Sequence, residues 1–124
     1  MTIAEVLSKV DALTPNTYTP EDKIGWLSTI DGRIKTQIID THAHGDHIYF
    51  YGYNDLTDQE TELLAPPPYD EMYLRWLEAQ IHYHNSDDDR YNNAIILFNN
   101  AYESFKRHYT RTHMPLQRGT RFIF

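Results

Sequence analysis

The chain has 124 residues, no cysteine and a formal charge of −7, with 40% hydrophobic and 23% charged residues. This length predicts one domain with a modest core, and the composition is that of a folded protein, not a disordered one. The acidic excess disfavours a surface that grips nucleic-acid phosphates, the lack of cysteine excludes thiolate metal sites, and no apolar run approaches membrane-spanning length.

Two amphipathic helices are predicted in the first forty residues. For the helix at residues 3–13, Thr2 and Glu5 form a capping box. For the helix at residues 20–40, Thr19 is the expected N-cap and Pro20 takes the first helical position. The apolar stripes recur at helical spacing and consist of Ile3, Val6, Leu7, Val10 and Leu13, then Ile24, Leu27, Ile30, Ile34 and Ile38.

The helical period is absent from residues 42–68, which we predict to be a long middle loop. Residues 48–53 are β-branched and aromatic, a composition typical of a short strand or hairpin arm. Residues 66–68 are three prolines, which stiffen the approach to the next helix. A loop of this length in a small domain is usually functional or disordered, and its aromatic residues favour docking on a partner.

The third predicted helix, residues 69–84, is apolar around most of its circumference. Its polar residues follow one narrow stripe, made of Glu71, Arg75, Glu78 and His82. A helix with so little polar surface must be covered on most sides. We therefore expect it either at the centre of the domain or against another subunit.

The fourth predicted helix, residues 87–110, has acidic residues at its start and basic residues at its end, as the helix dipole favours. Ser86 is its expected N-cap. Its apolar stripe consists of Tyr91, Ala94, Ile95, Phe98, Tyr102, Phe105 and Tyr109. The tail, residues 112–124, is too short to fold alone, so it either tucks back on its own domain or pairs with a neighbour, which we favour.

These elements predict an all-α fold. Residues 1–124 would form a single four-helix domain with a long middle loop, containing at most a short β-hairpin, and an extended C-terminal tail.

The string THAHGDH at residues 41–47 carries the main chemical signal. It matches the H-x-H-x-D-H signature of the metallo-β-lactamase superfamily, which implies a zinc hydrolase with His42, His44, Asp46 and His47 as ligands. That superfamily also needs a two-sheet sandwich and further ligands downstream, for which this chain is too short and too helical. We therefore predict no catalytic, cofactor-binding or metal site and no enzymatic activity, with a metal-binding protein or zinc hydrolase that uses this string as the alternative.

The other polar clusters have simpler explanations in helix structure. His82 and His84 are two residues apart, so they diverge on a helix and cannot share a metal. The run at residues 87–89 is better explained as helix-start acids than as a cation site. No phosphate-binding loop, nucleophile elbow or cofactor fingerprint occurs.

Turn and helix-packing motifs occur in eight segments distributed along most of the chain. They are residues 11–18 (DALTPNTY), 23–27 (KIGWL), 31–34 (DGRI), 62–71 (ELLAPPPYDE), 76–81 (WLEAQI), 89–93 (DRYNN), 98–99 (FN) and 111–115 (RTHMP). In these segments the chain resembles the small head–tail connector, or adaptor, proteins of tailed phages and prophages of Gram-positive bacteria. Roughly residues 43–46 and the last few residues lie outside the resemblance.

The resemblance implies a structural virion protein that forms a homo-oligomeric ring, twelve-fold in such proteins, under the portal protein. The ring would join the portal to a tail-completion or stopper protein at the head–tail interface and line part of the DNA channel. The subunits would be present in the host cytoplasm during assembly, and DNA would be only a passing cargo. The acidic net charge is consistent with this role, because an acidic channel lining would bind the phosphates of a passing duplex only weakly. A small helical DNA-binding module remains a further hypothesis, and the same acidic balance weighs against it.

Overall fold

The computed structural model describes residues 1–116, and within them the fold is all-α, as predicted. Four helices are present: α1 (Ile3–Leu13), α2 (Pro20–Gln37), α3 (Glu71–His84) and α4 (Asp88–Thr112). Two 3₁₀ turns, Ile39–Thr41 and Gly45–His47, follow α2. Residues 117–124 contain most of the expected tail and lie outside the described residues.

Side-chain caps begin α1 and α2 at the predicted residues. The Thr2 hydroxyl accepts a 3.1 Å hydrogen bond from the Glu5 N–H, and the Glu5 carboxylate accepts one of 3.0 Å from the Thr2 N–H. The Thr19 hydroxyl likewise accepts from the Asp22 N–H at 3.1 Å, and Pro20 occupies the first turn. Each cap provides an acceptor for N–H groups that have no partner within the helix.

Helix α2 ends at Gln37, so the prediction that it extends to residue 40 is wrong. The Ile38 carbonyl accepts from the Thr41 hydroxyl at 2.8 Å and lies 2.6 Å from His42 Nδ1. These side chains occupy the acceptor that a continuing helix would use, so the chain turns instead. The other boundaries move by one or two residues, to Glu71 for the start of α3 and to Asp88 and Thr112 for α4.

The N-cap of α4 also differs from the prediction. The side chain of Asp87, not Ser86, accepts the hydrogen bond from the Arg90 N–H, at 3.3 Å. Ser86 has a φ of 58°, in the left-handed region, where it closes the tight turn between α3 and α4. Its expected capping role is therefore wrong, because the turn places Ser86 one residue too early.

The short strand or hairpin arm that the composition of residues 48–53 allowed does not form, since no strand occurs among the described residues. This segment instead contacts α2 through Phe50 and Tyr53. The Tyr53 N–H donates to the Ser28 hydroxyl at 2.9 Å, and Phe50 lies beside Gly32. Hydrogen bonds to helix side chains thus replace those to a partner strand. Elsewhere only two isolated antiparallel bridges occur in the described residues, between Thr2 and Glu62 and between His42 and Pro115.

Helix α3 lies at the centre of the fold, in agreement with one of the two expectations from its composition. It packs against α1, α2 and α4, whereas α4 packs mainly along α3. The Trp76 indole N–H donates to the Trp26 carbonyl at 2.8 Å, which joins α3 to α2. The buried residues of α3 are Met72, Tyr73, Leu74, Trp76, Leu77, Ala79 and Ile81. None of the helices within residues 1–116 is long and apolar enough to cross a membrane.

Candidate assembly surface

His42, the first histidine of the THAHGDH string, is a buried structural residue. Its Nε2 lies 3.2 Å from the Thr110 hydroxyl, and its ring meets the edge of Tyr109 with 5.0 Å between centroids. With its other nitrogen on the Ile38 carbonyl, the imidazole joins the end of α2 to the end of α4. Only 6% of its surface is exposed. His42 is thus committed on both ring nitrogens to contacts within the protein.

His44, Asp46 and His47 are exposed, whereas His42 is buried. The rings of His44 and His47 are 5.7 Å apart, and Asp46 Oδ1 lies 4.0 Å from His47 Nε2. Within residues 1–116 no three His, Asp or Glu side chains are placed to hold a metal ion together. The structure therefore does not bring His42, His44, Asp46 and His47 together as a ligand set.

Gly45 allows the THAHGDH string to form a tight turn against the end of α2. A Cβ atom at this position would lie 2.3 Å from the Ile39 carbonyl oxygen, so the turn packs against the end of α2 only without a side chain. The Gly45 carbonyl accepts a 3.0 Å hydrogen bond from Lys35 Nζ, and Lys35 also pairs with Asp40. The sequence pattern that resembles a metal loop is, in this fold, a tight turn at the end of α2.

Asp87 of the acidic run and His84 of α3 also have structural roles. Asp87 caps α4 and pairs with Arg90 at 3.5 Å. His84 stacks on Trp26, with 5.0 Å between ring centroids, and its Nδ1 lies 2.8 Å from the Gln80 carbonyl. These contacts hold the α3–α4 turn against α2.

A buried carboxyl group in the middle of α2 is the polar centre that the sequence analysis missed. Asp31 is fully buried and accepts three hydrogen bonds. The Tyr73 hydroxyl donates to Oδ1 at 2.5 Å, while the Tyr53 hydroxyl, at 2.5 Å, and the Leu64 N–H, at 3.1 Å, donate to Oδ2. The Tyr73 oxygen accepts in turn from the Ala65 N–H at 2.7 Å. This cluster attaches both ends of residues 53–65 to the core.

The environment shifts the ionisation of all three side chains in the same direction. Burial raises the pKa of Asp31, although the hydrogen bonds from Tyr53, Tyr73 and the Leu64 N–H offset part of the rise. Burial and the nearby Asp31 carboxyl also raise the pKa values of Tyr53 and Tyr73. Both phenols therefore stay protonated as donors. No buried side-chain nitrogen or oxygen of the described residues lacks a hydrogen-bond partner.

One sequence signal could have identified Asp31. It lies four residues after Leu27 and three before Ile34, both in the apolar stripe of α2. An acid in that phase must face the core, and a buried acid requires donors. Which donors these are depends on tertiary packing, because Tyr53 and Tyr73 come from other parts of the chain.

Large apolar side chains remain outside the core in two main groups. In the middle loop, Tyr51 is 91% exposed and stacks with the exposed Tyr49 at 6.4 Å between centroids, and Leu56 is 89% exposed. On α4, Ile96 and Leu97 are adjacent and exposed, on the side away from Phe98 and the core. Neighbouring exposed apolar groups of this kind are typical of surfaces that bind another molecule.

Charge is distributed very unevenly along the chain. Between Lys35 and Arg75 there is no Lys or Arg, and eight acids occur: Asp40, Asp46, Asp55, Asp58, Glu60, Glu62, Asp70 and Glu71. After Glu103 there is no acid, and five basic residues occur: Lys106, Arg107, Arg111, Arg118 and Arg121. The middle loop is thus acidic, whereas the last turns of α4 are basic.

Comparison of the chain with known protein families, with curated proteins and with solved structures found no match.

Proposed function

We propose that this chain is a structural subunit of a phage head–tail connector. It assembles as a ring under the portal protein, in which each copy meets an identical neighbour, the portal and a tail-completion protein. The observation that carries the proposal is the apolar surface left outside by the four helices. The core is closed and its polar groups are paired, yet Tyr49, Tyr51, Ile96 and Leu97 are exposed.

The shape of the fold supports the same proposal. Helix α4 packs mainly on α3, so much of its 25-residue length faces outward. A long helix with exposed Ile96 and Leu97 offers a rigid surface to a partner, and the aromatic loop offers a second one. Two separate surfaces suit a subunit with a neighbour on each side.

The negative net charge supports a position around DNA without tight binding to it. The chain has 18 acidic and 11 basic residues, and an acidic lumen would let phosphates pass with little adhesion. The ring would be twelve-fold, as in the proteins that the sequence resembles, and would reside at the head–tail interface of the virion after assembly in the host cytoplasm.

Electron microscopy of the untagged protein mixed with the portal protein from the same genome tests the proposal. We expect an additional ring of density bound to the portal. Ile96→Glu with Leu97→Glu should weaken that binding, whereas the matched change Leu13→Glu, at an exposed site on α1, should not. A protein that stays monomeric and unbound in the presence of portal would contradict the proposed function.

A further inference from the structure

The middle loop and the end of α4 form two charged surfaces of opposite sign. The acidic loop, residues 49–60, carries Asp55, Asp58 and Glu60 beside exposed aromatic and apolar side chains. The basic face is formed by Lys106, Arg107 and Arg111, which are all exposed and share the side of α4 opposite Phe105 and Tyr109. With Glu103 and Thr110 these basic residues border an open surface groove.

Neither surface is neutralised within the described part of the chain. The ion pairs of residues 1–116 involve neither the three acids of the loop nor the three bases of the face. The acidic loop cannot swing freely towards the basic face, because its backbone is fixed to other helices. The Ala4 N–H donates to the Gln59 carbonyl at 2.8 Å, and the Tyr53 N–H to Ser28 at 2.9 Å.

We propose that the acidic loop of one copy docks on the basic face of the next copy. The partner is a second copy of this chain because the chain itself supplies both charges, each with exposed apolar groups nearby: Tyr51 and Leu56 in the loop, Met114 just after α4. Opposite charges attract across such a contact and set its orientation. The inference rests on the proposed function, in which copies meet around a ring.

The two surfaces also determine the symmetry of the contact. They are different parts of the molecule, so the contact joins unlike patches of two copies, head to tail. A contact of this kind does not stop at a dimer, and it closes into a ring when the rotation between copies allows it. Contact between like patches would instead repel, with acid facing acid or base facing base.

Charge reversal tests the contact. In one variant the loop carries Asp55→Lys, Asp58→Lys and Glu60→Lys, and in the other the face carries Lys106→Glu, Arg107→Glu and Arg111→Glu. Self-association is measured by sedimentation velocity at low salt, without and with portal. Each variant alone should associate at least about tenfold more weakly than the wild type, and an equal mixture should recover association because each reversed surface then meets its complement. Added salt should weaken the wild-type contact. Lys9→Glu with Glu21→Lys, at exposed sites on α1 and α2, is the matched control.

Crosslinking locates the contact independently. The chain has no cysteine, so a protein with Asp58→Cys mixed with one with Arg107→Cys can form only engineered disulfides. We expect a mixed disulfide for this pair and none for Ser8→Cys with Arg107→Cys.

Each other outcome has a separate meaning. If portal-bound rings form and neither reversal affects them, the acidic-loop contact is wrong and the connector function stands. If the wild type neither self-associates nor binds portal, both proposals fail. If reversal of the basic face abolishes binding to duplex DNA and leaves self-association intact, the face serves phosphates and this inference is overturned.

Discussion

The hydroxyl group of Tyr73 donates a 2.5 Å hydrogen bond to the fully buried carboxyl group of Asp31. The two residues are 42 positions apart, and their contact joins the middle of α2 to the first turn of α3. Because the Tyr73 oxygen also accepts from the Ala65 N–H, the same pair fixes the end of the middle loop. The loop is therefore positioned by a buried polar group and not by a sheet.

Removal of this contact should destabilise the fold. Tyr73→Phe leaves the Ala65 N–H without its acceptor and Asp31 with two donors instead of three, so we expect a loss of about 1–3 kcal/mol in the free energy of unfolding. Asp31→Asn should cost a similar amount, because an amide cannot accept from all three donors. Urea unfolding monitored by circular dichroism measures both.

A double-mutant cycle separates this contact from general loss of packing. Tyr73→Phe should cost less in the Asp31→Asn background, with a coupling of about 0.5–3 kcal/mol. Tyr83→Phe, at an exposed position of α3, is the control and should change little. Additive effects of the Asp31 and Tyr73 changes would contradict the cluster.

The raised pKa of Asp31 predicts how its contribution varies with pH. Burial, opposed by the hydrogen bonds from Tyr53, Tyr73 and Leu64, places the pKa above the ordinary value of 3.8. The folded state then holds the proton more tightly than the unfolded chain, so this contribution is fully present below 3.8 and falls as pH rises through the raised pKa.

The stability of the wild type relative to Asp31→Asn should therefore decrease as pH rises above 3.8. Urea unfolding of both proteins over a series of pH values measures this difference. Groups that titrate alike in both proteins cancel, including Glu5 and Asp11, whose pKa values are lowered. A difference that grows with pH would show that the hydrogen bonds outweigh burial.

The THAHGDH string should behave as a structural turn in which one histidine matters. His42→Ala removes contacts to Ile38 and Thr110 and should lower the free energy of unfolding by about 1–3 kcal/mol. His44→Ala, Asp46→Ala and His47→Ala, all at exposed positions, should each change it by less than about 0.5 kcal/mol.

The same variants separate the turn from a metal site. A ligand that binds only the folded state raises stability, so zinc should raise the unfolding midpoint if the string holds it tightly. We expect no change on addition of zinc or of chelator. A zinc-dependent increase that disappears in His44→Ala and Asp46→Ala would support the metal-binding alternative.

The α3–α4 turn offers a stabilising substitution. Ser86 has a φ of 58°, which costs a residue with a side chain about 1 kcal/mol relative to glycine. Ser86→Gly should therefore raise the free energy of unfolding by about that amount, measured by thermal unfolding. Asp87→Ala removes the N-cap of α4 and should lower it by about 1 kcal/mol. A loss of stability in Ser86→Gly would instead indicate that Ser86 caps α4, as the sequence suggested.

Local patterns in the sequence located the four helices of residues 1–116 to within about three residues, although they misplaced the end of α2 and the N-cap of α4. Helical periodicity and the caps at Thr2 and Thr19 predicted α1 and α2, and the scarcity of polar residues in α3 predicted its central position. These features were predictable because periodicity and capping depend on residues within a few positions of one another.

Tertiary structure alone decided what lies between the helices. Residues 48–53 have strand-like composition, yet they follow α2 because Ser28 and Asp31 offer hydrogen-bond partners there. His42 and His44 both match the metal-binding pattern, yet His42 is buried and His44 is exposed. The reason is that α4 packs over His42 only. Such partners are distant along the chain, and their energies depend on burial, which a linear pattern does not contain.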